Sequence, residues 1–182
     1  MYYVEMGGKV VAMPLSSVYV SVAMAALVGL LFYFFMSYGL FRMAYNGCEV
    51  IAVYNALQLK GKGLPISLVA FEMEINGSSM LYGVFGSNPH FIGNYLYFHK
   101  IRYTKATSVN AMKKLIRNNG VYIITFWTGR AYRTSIHTVA FKYRNGIYTV
   151  YNDLNRNPKE KTRYSLSSIY SNGVFIMGYY LY

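Results

Sequence analysis

Cysteine, histidine and a carboxylate or amide in the right order can make a thiol hydrolase, and this chain supplies each at an informative place. Cys48 is the single cysteine in 182 residues. It follows the turn formers Asn46-Gly47 and precedes an almost wholly apolar run from Val50 to Leu59, with Gly61 placed to end a helix. That context predicts Cys48 in the first turn, where unpaired backbone N–H groups and the helix dipole favour thiolate over thiol. A small buried hydrophobe is the alternative reading of a lone cysteine. Glu49 opposes ionisation, but neighbours on a helix point about 100° apart, so a small effect is expected.

A nucleophilic thiol needs a base, and the base needs a third group to fix its orientation. His90 follows a proline in a loop and His99 ends an apolar helix, positions that suit structural roles. His137 instead opens a strand whose hairpin partner ends in Asn152-Asp153, so the two ends are expected to meet at one edge of a sheet. Asp153 is the only aspartate in the chain. A plain turn over Asn152-Asp153-Leu154-Asn155 is its alternative reading.

The elements that must position these residues follow from periodicity and turn chemistry. After the Cys48 helix, Lys60-Gly61-Lys62-Gly63 breaks the chain and Ile66 to Ile75 makes a short amphipathic helix with Glu72 and Glu74 outward. Ser87 or Asn88 caps a helix carrying Phe91, Ile92, Tyr95 and Leu96; Ile101 to Ala106 is a strand; Ser108 caps a further helix closed by Asn119-Gly120. Val121 to Thr128 is a continuous apolar and β-branched run, fit for a buried central strand. His137 to Tyr143 and Ile147 to Asn152 flank Asn145-Gly146, a strong hairpin signal. A polar, basic loop from Asn155 to Arg163, a helical turn over Leu166 to Tyr170 and a last strand from Val174 to Leu181 complete the chain. Helices first and an antiparallel sheet second define the α+β class.

Between Val10 and Phe41 no residue is charged, and about 20 apolar residues suffice to span a bilayer. The expected organisation is an N-terminal tail (1–15), a transmembrane helix (16–41) and an α+β domain (42–182), hence a single-pass membrane protein. The apolar stretch is longer than a signal-peptide core and lacks its cleavage pattern. Charges on its two sides leave the topology open. The net charge of +12 attracts acidic partners, of which an anionic membrane surface is the expected one. Lys113, Lys114, Arg117 and the Lys159 to Arg163 loop read as solvated faces, with no recognised nucleic-acid motif. One cysteine excludes an intramolecular disulfide framework and a cysteine-rich zinc site.

Taken together, Cys48, His137-Thr138-Val139-Ala140 and Asp153, sixteen residues after His137, resemble the papain-like cysteine peptidases. The bacterial branch of double-glycine leader peptidases of bacteriocin export and their free-standing relatives is the most similar. The resemblance runs from about Asn46 to Asp153 and includes Gly86-Ser87-Asn88-Pro89 with Ile92 and Leu96 in the middle. It implies a papain-like fold and peptide-bond cleavage, with Cys48 as nucleophile, His137 as base and Asp153 or Asn152 orienting the imidazole. Neither metal nor organic cofactor is implied, and the partners are a peptide or protein substrate and the membrane. Where the family has a glutamine upstream of the cysteine, this chain has Arg42, leaving Asn46 and the Cys48 amide to bind the oxyanion. An inactive peptide-binding relative, and an acyl or amide transferase on the same fold, are the alternatives.

Overall fold

The computed structural model describes the backbone of residues 2–6, 9–13, 37–38 and 41–42, and residues 47–78, 88–129, 135–152, 160–170 and 173–182 in full apart from the side chain of residue 135. The chain divides into two units, Met1–Met36 and Ser37–Tyr182. In the first, where the sequence suggests only a tail, β1 (Tyr2–Met6) and β2 (Lys9–Met13) form an antiparallel hairpin. The expected transmembrane segment 16–41 lies outside the described residues except at its end. There β3 (Ser37–Tyr38) and β4 (Phe41–Arg42) pair as a short ladder in the second unit. Among the described residues no helix is long and apolar enough to cross a membrane.

The second unit has the expected α+β order. Three helices come first: α1 (Cys48–Leu59), α2 (Ile66–Ile75) and α3 (His90–Phe98). Then come β5 (Tyr103–Ala106), α4 (Val109–Leu115), β6 (Val121–Thr128), β7 (Ser135–Arg144), β8 (Ile147–Tyr151), β9 (Lys161–Arg163), α5 (Ser167–Tyr170) and β10 (Val174–Leu181). The helix ends follow their sequence signals. Gly61, at φ +69°, lets Gly61 N–H donate to the Gln58 carbonyl and Lys62 N–H to that of Leu57, the paired closure that a left-handed residue permits. Ser108 Oγ accepts the Ala111 N–H at 3.1 Å, capping α4 as expected. Asn88 Oδ1 accepts the His90 N–H at 3.1 Å ahead of α3.

Six strands form one antiparallel sheet in the order β5-β10-β6-β7-β8-β9. The C-terminal strand therefore enters between β5 and β6, and β9 arises within what the sequence presents as a basic loop. Both faces of the sheet are covered, which explains why β6 lacks polar alternation. Val121 and Ile123 join Ala140, Met177, Tyr179 and Leu181 under α1, α2 and α3. Tyr122, Ile124 and Phe126 join Val139, Phe141 and Val150 under α4 and α5. Glu72 departs from its expected outward position: its carboxylate accepts the Tyr95 hydroxyl at 2.8 Å and lies 2.9 Å from His99 Nε2, tying α2 to α3. Burial, then the Glu72 carboxylate, push the Tyr95 phenol well above its usual range.

Candidate functional site

The site forms where the β7–β8 ladder stops. Asn145 and Gly146 take positive φ values of 49° and 84°, the backbone a tight two-residue hairpin demands, and so fix the register of the two strands. Pairing ends at Ala140 opposite Tyr151, whereas β7 continues along β6 to Ser135 opposite Thr128. The peptide groups of β7 around His137 thus have β6 on one edge and no β8 on the other. The N-terminus of α1 and Asn152 occupy that edge.

Cys48 is the first residue of α1, after Gly47, as its context predicts. Its sulfur lies 3.9 Å from the Ile136 carbonyl and accepts from the Thr138 backbone N–H. It therefore touches the main chain on both sides of His137. Asn152 secures the same junction: its side-chain amide donates to the Cys48 carbonyl at 3.3 Å and to the Thr138 carbonyl at 3.1 Å. Beneath them the Thr125 and Thr138 hydroxyls, directly opposed across β6 and β7 and both buried, hydrogen-bond at 3.0 Å.

His137 stands on the β7 face shared with Val139 and Phe141, its ring edge-to-face with Phe126 at 5.7 Å. Its Nε2 lies 2.7 Å from the Asn152 backbone carbonyl. A carbonyl can only accept, so Nε2 carries the hydrogen and the lone pair of the neutral ring is on Nδ1. The ladder alone would leave Asn152 opposite Val139, too far along for His137. Asn152 reaches back because it adopts φ +65°, a left-handed conformation that asparagine tolerates better than most residues.

Cys48, His137 and Asn152 are thus brought to one edge of the sheet. Asn46 and Asp153, the other two residues read from the sequence, lie outside the described residues. Asn152 differs from expectation in its division of labour: its main chain holds the imidazole and its side chain holds the Cys48 helix.

The electrostatics of the thiol run against the sequence reading. Cys48 is half-buried, and Glu49 is buried at 1% exposure. The Cys48 Sγ–H donates to Glu49 Oε2 at 3.0 Å, a much shorter contact than the one to Ile136. Burial pushes the thiol well above its ordinary value, and the Glu49 charge and hydrogen bond push it further, against smaller downward contributions from the Thr138 and Glu49 amides. The resting group is a thiol, not the thiolate that a helix N-terminus favours. The 100° separation of helix neighbours does not keep Glu49 away, because its side chain is long enough to fold back to the sulfur.

Among the described residues no cluster of three or more His, Cys, Asp or Glu side chains is placed to hold a metal ion. Trp127, the only tryptophan, pairs with Ile136 beside the thiol and is 40% exposed, a feature that strand alternation in an apolar run does not reveal. No protein-family model matches the chain, and no curated protein matches it. Its chemistry is read from the site.

Proposed function

We propose that this protein is a membrane-anchored cysteine peptidase of papain-like design, cleaving peptide bonds through Cys48. The observation that carries the reading is the contact of the Cys48 sulfur with the peptide groups flanking His137, while the imidazole is held by Asn152. In the reaction the Cys48 thiol loses its proton to Nδ1 of His137 as sulfur attacks the scissile carbonyl carbon. The resulting tetrahedral oxyanion is stabilised by the Cys48 backbone N–H and Asn46. On collapse, His137 returns the proton to the leaving amine, and water then hydrolyses the thioester with the same imidazole as base. Asn152, with Asp153 beside it in sequence, stabilises the imidazolium. The uncharged segment 16–41 would hold this domain at a bilayer, where secreted or leader-bearing peptides pass.

A second reading is a non-catalytic domain that binds peptides at the same sheet edge. The donation of the thiol proton to a buried carboxylate favours it, since such a thiol reacts slowly. Digestion of a randomised peptide library by the full-length protein, with new termini identified by mass spectrometry, separates the two. The peptidase reading predicts defined cleavage sites that vanish in Cys48→Ala. Library peptides retained by the protein without new termini would establish the second reading.

A further inference from the structure

Cys48 has one proton to give, and two groups at this site compete for it. His137 must take it for sulfur to attack, yet in the resting structure it points to Glu49 at 3.0 Å. Glu49 is buried, and its carboxylate is held on the first turn of α1 beside the sulfur it contacts. We infer that Glu49 is a positioning residue that keeps Cys48 protonated, with its S–H held on the Glu49 carboxylate, so that the site is latched until an incoming peptide displaces the contact.

The inference rests on Cys48 being the reactive group of the site, and it deepens the peptidase reading. A surface carboxylate would be screened by water and cost the thiol little. A buried one at this distance disfavours the thiolate strongly, because the anion pair would share a poorly solvated pocket. On the elements packed against α1, Glu72 of α2 is engaged with Tyr95 and His99, and Glu74 adds only further negative charge. Tyr122 of β6 faces the opposite core, and β7 carries His137 on the face of Val139 and Phe141, with Lys142, Tyr143 and Arg144 at the hairpin end of the strand. The proton balance is simple: on release the S–H rotates from Glu49 Oε2 to His137 Nδ1, no proton passes to Glu49, and no co-reactant is needed.

The test is the pH profile of iodoacetamide alkylation of full-length protein, in which Cys48 is the sole thiol. Glu49→Gln removes the charge and keeps the shape. Its alkylation midpoint falls and its rate at pH 7 rises at least about tenfold, one pH unit of midpoint corresponding to tenfold in thiolate. Glu49→Asp retains the charge and stays near the parent rate. An unchanged or slower Glu49→Gln rate overturns the latch, and a slower one makes Glu49 a base instead. If Glu49→Gln fails to fold, the unaltered protein still answers. Its single S–H stretching band lies below that of free cysteine in the infrared when the thiol donates to a carboxylate, and an unshifted band overturns the inference. Alkylation and infrared readouts do not depend on cleavage, so an inactive protein with a latched thiol and an active one without a latch are told apart.

Discussion

At the scale of single residues, Asn152 does the most with the least. Its left-handed backbone carries the carbonyl to His137 Nε2, and its amide ties Cys48 to Thr138. The two roles separate by mutation. Asn152→Gly keeps the positive φ and the carbonyl while removing the amide, so the ¹⁵N signature of an Nε2–H imidazole at His137 persists while the tie to α1 is lost. Asn152→Ala also removes the amide but adds strain in the left-handed region. It unfolds in urea with stability about 1 kcal/mol below that of the glycine variant. Equal stabilities, or loss of the imidazole signature in Asn152→Gly, would contradict this division. The sequence made Cys48, His137 and the Asx pair legible as a group, through a helix start, a strand start and a hairpin. It did not reveal which atoms of Asn152 act, because that depends on one backbone rotation. Nor did it reveal the Cys48–Glu49 contact, because a rule about helix angles ignores the reach of a glutamate side chain.

At the scale of elements, the site exists because β8 is shorter than β7 and α1 begins where β8 stops. Strand and helix existence were readable from apolar runs and from Gly61, Ser108 and Asn145-Gly146, whose chemistry acts locally. The insertion of β10 between β5 and β6, and the pairing of β9 with β8, were not, since partner choice is settled by long-range packing on both sheet faces. Beside the site, next to the Thr138 main chain that Cys48 and Asn152 contact, lies the buried Thr125–Thr138 hydroxyl pair. Thr125→Val leaves the Thr138 hydroxyl without this partner and costs about 1–3 kcal/mol. Replacing both by valine removes the unmet need as well as the bond, so in a double-mutant cycle the double variant is less destabilised than the two single changes summed. Strict additivity in denaturant unfolding would show that the hydroxyls do not act as a pair.

At the scale of the whole molecule, the second unit is a sheet clad on both faces, with its apolar strands buried and the Cys48 edge lying where β7–β8 pairing stops. The α+β class was legible from the order of helices and strands. The papain-like relationship and the membrane anchor remain proposals, which the geometry of the edge and the uncharged stretch between Val10 and Phe41 support. On the proposed function, Cys48 is the group that bonds to substrate. The most direct measurement is the intact mass of the full-length protein, acid-quenched within seconds of mixing with an activated acyl-amino-acid p-nitrophenyl ester. The account predicts a single acyl adduct, mapped by peptide mass to Cys48, absent in Cys48→Ala and slowed at least tenfold in His137→Ala. No adduct on the unaltered protein, or an equal adduct in Cys48→Ala, would contradict it.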